Sequence, residues 1–460
     1  MDKTRILSAE IVAYLFPCEE MDFMVAETVV TLEKITALCK RRGFIFQTAD
    51  IYNGLNGVYD SGPLGTLMKE NIRQAWKQSL RALPYDILFV DGAILGNEAM
   101  WRASGHIENF HDPLVECKAC NARFRTDDVD LNKACTRCGK KDWSESREFH
   151  MMFKTQLGAS VEQASAAYLR PETAQSIFVN FKNIISSSRV KIPFGVAQIG
   201  KAFRNEITPK QFLFRMREFE QMEMEFFCKH EDAQNLFEFW RTERLNFFSH
   251  IGITPEKLRL RAHEQTELSH YSSATSDVEY EFPFGWKELE GIAHRGNYDL
   301  SQHSKFSGKE LAVFDDATKS SYVPDVVECS VGVDRLFLTL LFDAYSEEQL
   351  EKETRTVLRL HPRIAPVKAA LLPLVDSLGE PFRQLARELR MQGIEVQFDS
   401  SGSIGKRYRR QDEIGTPFCF TYDYQSAEDQ SVTVRHRDSM QQERIAFDQI
   451  QNYIKQALLA

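Results

Sequence analysis

The chain lacks any uninterrupted apolar stretch of membrane length, any leader of the kind that directs export, and any internal repeat or low-complexity tract. Without about 18 consecutive apolar residues no membrane helix is expected. Without a leader the expected place of work is the cytoplasm. An excess of positive charge is missing too. The net charge of −9 argues against a protein that coats nucleic acid non-specifically, since that relies on a broad basic face. Nine cysteines is an odd number in a chain without an export signal, so a disulfide framework is not expected, and thiols or a metal are. What is present is a globular composition: 460 residues, 43% hydrophobic, enough for at least one large core and two or three domains. From His361 to Ala460 there are 13 Lys plus Arg and 13 Asp plus Glu, so the acid excess lies in the first 360 residues. The tail is the better candidate for nucleic acid.

Met1 to Val25 carries one short apolar run and gives no clear reading. Thr28 to Lys40 has apolar residues at helical spacing and stops at Gly43, a suitable C-terminal residue. Asn53 to Gly65 is rich in turn residues and leads into a helix expected over Leu67 to Leu83. Val326 to Phe342 begins as an alternating strand and becomes helical after Gly332. The run Leu360 to Pro366, with two prolines, marks a domain boundary. Beyond it an apolar strand, an amphipathic helix (Pro381 to Met391) and a strand (Ile394 to Phe398) spell a small α/β domain.

The most informative stretch is Phe203 to Phe227, FRNEITPKQFLFRMREFEQMEMEFF. It reads as a strand that breaks at Pro209 and returns from Phe212 as a second strand with period-two alternation, a hairpin. On the return strand Phe219, Gln221, Glu223 and Glu225 share one face, while Met222, Met224 and Phe226 share the other and belong to a core. Phe219 and Glu223 lie four residues apart, about 13 Å at strand rise, close to the length of an aminoacyl adenylate. Cys117, Cys120, Cys135 and Cys138 form two CxxC knuckles fourteen residues apart, close to a four-cysteine zinc ribbon. Four thiol ligands leave no open position, so such a metal would be structural; a metal-free or oxidised form is the alternative. Cys18, Cys39, Cys228 and Cys419 read as ordinary buried thiols.

Five further segments occur in order: GFIFQTADIYNGLNGVYDSGPLG (Gly43 to Gly65), WRASGH (Trp101 to His106), RPETAQS (Arg170 to Ser176), WKELEGIAHRGNYDLSQH (Trp286 to His303) and VECSVGVDRLF (Val327 to Phe337). On them the chain, over roughly Leu32 to Tyr453, resembles the homodimeric class II glycyl-tRNA synthetases. The resemblance implies an α+β fold: an antiparallel-sheet catalytic domain flanked by helices over 28–360, with a zinc-ribbon-like insertion at 115–145 and a second insertion at 230–285. An anticodon-binding α/β domain would follow over 361–460, and 1–27 would be an extension without an assigned role. Two positions depart from the family's pattern: Ser176 stands where glycine is usual and Cys329 where proline is common.

The resemblance also implies residue roles. Arg204 would hold the α-phosphate of ATP, where a bidentate guanidinium suits growing charge. Glu206 would accept from the adenine amino group and Phe219 would stack on the base. Arg335 would cover the other face and reach the γ-phosphate, and Arg215 would touch the phosphate tail. Asn205, Phe214 and Gly332 complete the nucleotide set, with Glu288 supporting Mg²⁺ or the adenosine and Leu289 packed beside it. Glu172, Glu223 and Glu328 would gather around the glycine ammonium, with Phe219, Gln221, Ser330 and Gly332 beside them. Three carboxylates exceed one cation, so Arg102 is expected in the site, holding the glycine carboxylate and pairing with an acid. No protein nucleophile or general base is needed, and His106, His294 and His303 are expected to make structural hydrogen bonds. In the tail, SGSIGKRYRRQDEIGTPF (Ser401 to Phe418) resembles the anticodon-binding domain, with Lys406, Arg407, Arg409 and Arg410 around Tyr408 as tRNA contacts. The expected partners are glycine, ATP, tRNA(Gly) and a second copy of the chain. Two alternatives remain at this point. One is a class II synthetase for serine, proline or threonine. The other is a non-catalytic relative like the polymerase accessory subunits, which would be free to lose Arg204, Glu206, Glu223 and Arg335.

Overall fold

A computed structural model describes residues 29–158, 165–269, 271–351 and 353–459. The reading of Met1 to Val25, and Cys18 with it, lies outside them. At the centre is a seven-stranded sheet of β1 (Ile87–Val90), β2 (Phe194–Phe203), β3 (Glu218–Cys228), β4 (Leu258–Ala262), β5 (Ala274–Phe282), β6 (Gly285–Gly296) and β7 (Asp325–Gly332). Their spatial order is β4-β5-β6-β7-β3-β2-β1, antiparallel except where β1 lies parallel to β2.

The alternation in β3 sorts the two faces. Met222, Met224 and Phe226 are wholly buried in the main core with Trp76, Trp240 and Phe337. Those three come from helices α2 (Pro63–Arg81), α4 (Ala233–His250) and α6 (Val333–Ala344), which cover that face. Helix α1 (Leu32–Arg42) starts where Thr31 Oγ1 accepts from the Lys34 amide and stops at Gly43, whose φ of 74° suits glycine. The start of α2 presses on the segment after α1: a Cβ on Gly65 would stand 1.9 Å from the Phe44 carbonyl oxygen. The opposite face of β3 opens on a cleft.

Two expectations need correction. The return strand begins at Glu218, not Phe212, because residues 212–214 form a 3-10 turn entered through positive φ at Gln211 and Phe212. That turn lets Phe214 pack edge-on against Phe282 and Phe284. Residues 230–285 are not an insertion set apart from the sheet. They supply α4, β4 and β5, and the inward residues Val278, Tyr280 and Phe282 of β5 are buried in the main core. The cysteine knuckles do form a separate module, a three-stranded sheet of His111–Cys117, Ala122–Arg125 and Arg147–His150.

The tail folds around its own core. Its five strands run in the order Val396–Phe398, Ala369–Pro373, Phe418–Tyr422, Ser431–His436, Gln442–Ala446, the first three parallel and the last two antiparallel. They are flanked by α7 (Glu380–Met391), α8 (Ile404–Ile414) and α9 (Ile450–Leu459). Helix α7 buries Phe382, Leu385, Ala386 and Leu389, the apolar stripe legible in its sequence. No helix among the described residues is long and apolar enough to cross a membrane.

Candidate active site

The cleft encloses about 430 Å³, the size of a small-ligand site. Of the residues expected there, Glu172, Arg204, Glu206, Phe214, Arg215, Phe219, Gln221, Glu223, Glu288, Glu328, Ser330, Gly332 and Arg335 line it. Three do not. Leu289 follows Glu288 on β6 and so points to the opposite face, where it is 1% exposed in the main core. Asn205 lies outside the cleft wall and fixes the loop by donating its backbone N–H to Met151 O at 2.7 Å. Arg102 sits on a one-and-a-half-turn helix (Glu98–Ala103) facing solvent, paired with Glu98 at 2.8 Å and Glu108 at 3.0 Å. The cation that balances the acids is a different arginine.

That arginine is Arg295, just before α5 (Tyr298–Ser307), and sequence reasoning missed it. It is 2% exposed. It grips Asp299 through two hydrogen bonds of 2.8 and 2.9 Å and donates to Glu328 at 2.6 Å. Tyr271 lies over its guanidinium at 3.9 Å. The spacing Arg295, Asp299 within the quoted motif was the available signal, an i,i+4 ion pair.

Around it the acids are held in distinct states. Glu223 faces Ser330 across the β3–β7 pair. One of its oxygens accepts from Ser330 Oγ at 2.8 Å and Gln221 Nε2 at 3.0 Å, the other from the Thr173 amide at 2.7 Å and the Thr173 hydroxyl. Glu172 meets His106 Nε2 at 3.3 Å and Gln175 at 3.1 Å. Burial opposes its charge, yet His106 and Arg295 hold its carboxyl well below the ordinary range. Burial, opposed by Arg295 and reinforced by Glu223 and Glu172, pushes Glu328 up to about 8. Glu225, opposite Glu328 and deeper in the sheet, is wholly buried with no hydrogen-bond partner on either oxygen. Burial and the Glu328 charge raise it well above the ordinary value.

At the other end of β3 the aromatic and guanidinium groups are layered. Arg204 lies over both Phe219 and Phe110, 5.4 Å from each ring centre. Arg335 lies over Phe214 at 4.6 Å and pairs with Glu288 at 3.1 Å. Glu206 Oε2 and Arg215 Nη1 are buried without a hydrogen-bond partner, although Oε2 lies 4.0 Å from Arg215 Nε, and Gln221 Oε1, nearer the acids, also lacks one. Asp112 and Arg125 of the cysteine module, paired at 3.0 Å, and Asp277 of β5 also line the cleft, contributions the sequence did not disclose. The departures from the family pattern lie behind the walls. Cys329 is 1% exposed on the core side, and Ser176 Oγ donates to Thr173 O and Gln198. His106, His294 and His303 are hydrogen-bonded to Ser104, Asp325 and Gln175 respectively.

The four module cysteines place their sulfurs within 4.8 Å of one another, with Cys117–Cys138 at 3.6 Å and Cys120–Cys135 at 3.8 Å. A tetrahedral zinc site with bonds of about 2.3 Å has sulfur–sulfur edges of about 3.8 Å, so the donor set fits that ion and is too open for disulfides.

In the tail the proposed tRNA cluster is dispersed. It lies on α8. Arg407 is 1% exposed and donates to the carbonyls of Pro373, Leu374 and Asp399. Tyr408 packs inward with its hydroxyl on Thr421 at 2.7 Å. Arg409 pairs with Glu353, Arg410 with Asp399, and Lys406 is exposed. The reason is helical periodicity: Arg407, Gln411 and Ile414 fall on one buried stripe.

Comparison with known proteins bears on the fold and the family. Residues 153–345 match the tRNA synthetase class II core domain (G, H, P, S and T), and residues 368–457 match an anticodon binding domain. A crystal structure of prolyl-tRNA synthetase from Cryptosporidium parvum, complexed with L-proline and AMP, shares the fold with a TM-score of 0.63 at 14% identity, covering 97% of this chain and 80% of that one. The glycine–tRNA ligase of Caldanaerobacter subterraneus subsp. tengcongensis is 49% identical over 457 residues, covering 93% of this chain and 99% of that one. That of Borreliella afzelii is 51% identical over 438 residues, 94% and 98% of the two chains. With that identity along nearly its whole length, the chain belongs to the glycine–tRNA ligase family.

Proposed function

We propose that the cleft activates glycine with ATP and then passes the glycyl group to the 3′ end of tRNA(Gly). The observation that carries this reading is β3, which presents Phe219, Gln221 and Glu223 along one side of a single strand. In the first step a glycine carboxylate oxygen attacks the α-phosphorus of ATP and the bond to pyrophosphate breaks. In the second the terminal ribose hydroxyl takes the glycyl group and AMP leaves. Both are positioning problems with charge to stabilise.

Arg204 stands between the two ends, where it meets the α-phosphate, with Phe219 as the platform for adenine. Glu206 Oε2, which accepts no hydrogen bond, would accept from the adenine amino group, and Arg215 Nη1, which donates none, would donate to the phosphate tail. Arg335 closes the other face. A magnesium ion bound with ATP would supply further neutralisation of phosphate charge, and Glu288, paired with Arg335 at 3.1 Å, would support that ion or the adenosine. The ammonium of glycine sits among Glu172, Glu223 and Glu328, with Gln221 Oε1 as a further acceptor. A pocket with space for one methyl group would discriminate by only about 1–3 kcal/mol, so walls that touch Cα must do the selecting. Cys117, Cys120, Cys135 and Cys138 hold a structural zinc, the tail binds tRNA, and the enzyme works in the cytoplasm as a homodimer.

Pyrophosphate exchange into ATP, measured with each of the standard amino acids in turn, is expected to respond to glycine alone. Exchange with none of them would favour a non-catalytic relative, and exchange with another would overturn the pocket assignment. In the same assay Arg204→Ala abolishes exchange while the fold is retained.

A further inference from the structure

Helix α8 carries a run of charge that the active site does not use, and its far end leaves its own domain. Ile414 is buried in the main core of the catalytic domain, not in the core of the tail. Asp412, wholly buried, accepts from Arg355 at 2.8 Å, on the strand Thr354–Leu358 that precedes the linker, and from Arg435 of the tail at 2.9 Å. Glu413 accepts from Arg42 at 2.5 Å and Arg41 at 3.2 Å, both at the end of α1. The helix ends at Gly415, whose φ of 81° suits glycine and whose Cβ would stand 2.8 Å from Leu360 Cδ1. Arg437 bridges the Gly415 and Leu360 carbonyls at 2.8 Å each, tying the helix end to the linker. The linker is held from the catalytic side as well, where Asn71 of α2 donates to the carbonyls of Ile364 and Ala365.

We propose that α8 is an interdomain clamp, and that Glu413, through Arg42, is a positioning residue for the transfer of glycine to tRNA. This rests on the reading that the tail binds tRNA. None of the contacts reaches the cleft, so activation of glycine does not depend on them. What they fix is the angle at which the tail stands to the cleft, and only a substrate that spans both domains senses that angle. Asp412 is a poor handle, since removing one partner of a buried ion network threatens the fold. Glu413 and Arg42 are partly exposed, with side-chain exposures of 24% for Arg42 and 19% for Glu413, which makes them safer to alter than the buried Asp412.

The test uses the full chain with glycine, ATP and transcribed tRNA(Gly). Glu413→Arg leaves glycine-dependent pyrophosphate exchange within about twofold of the parent and lowers kcat/KM for tRNA in aminoacylation about tenfold. The double variant Arg42→Glu, Glu413→Arg restores most of that loss, because the pair is re-formed with its signs exchanged. Unchanged aminoacylation in the single variant overturns the proposal, as does a double variant no better than the single. A parallel fall of exchange and aminoacylation also overturns it, since it marks damage to the fold. A parent protein that never exchanges with glycine would instead sink the functional reading, a result distinguishable from all of these.

Discussion

At the scale of the residue, the carboxylates at the acid-lined end of the cleft are held in different charge states. Glu223 is satisfied by four donors and Glu172 by His106 and Gln175, whereas Glu225 has none. Glu328 lies between these extremes, beside Arg295 but pushed up to about 8 by burial. Its folded form keeps a proton that the unfolded chain surrenders above its ordinary value of 4.5, so it contributes stability below that value and loses it as pH rises through about 8. Without ligand, the thermal midpoint is therefore expected to fall as pH rises from about 5 to about 8 and to level off above that, and the fall should shrink in Glu328→Gln and with saturating glycine. A flat midpoint, or an identical fall in the variant, would remove this account. Why the sequence named Arg102 and not Arg295 is plain at this scale. Both lie in motifs, but Arg102 has Glu98 one turn behind it, and a short exposed helix keeps the pair on the surface.

At the scale of the element, period-two alternation made β3 legible before any coordinates, and both of its faces turn out as read. The switch from strand to helix after Gly332 was equally readable, since α6 begins at Val333. What local pattern could not convey was membership. Residues 230–285 looked like an excursion because β4 and β5 join the sheet through β6 and β7 and do not pair with β3, which precedes them in sequence. The basic run on α8 looked like a nucleic-acid face because composition ignores helical phase, although Arg407, Gln411 and Ile414 already fell at one-turn spacing. The cysteine module is the opposite case, since spacing alone announced it. Metal analysis of the purified chain is expected to return about one zinc per chain, and Cys117→Ser to remove it while loosening residues 111–150 to proteolysis. Zinc retained by that variant would mean the ion is bound elsewhere.

At the scale of the whole molecule, the excursion between α1 and α2 exposes Phe46, Ile51, Tyr52 and Leu55, with Ile51 87% and Tyr52 78% open to solvent. Under the proposed homodimer, these exposed apolar side chains are the ones a second copy would cover. Ile51→Asp combined with Tyr52→Asp is expected to halve the mass measured by light scattering at micromolar concentration. A parent that already runs as a monomer, or a variant that stays paired, would defeat that assignment. The acid-lined end of the cleft also bears on what could block the enzyme. A competitor that mimics the nucleotide but ends in an uncharged group would add no cation to the one, Arg295, that Glu172 and Glu328 share with Asp299. Tight inhibitors of this enzyme must therefore carry a cation at their tip, and neutral look-alikes of the adenylate should be poor drugs against it.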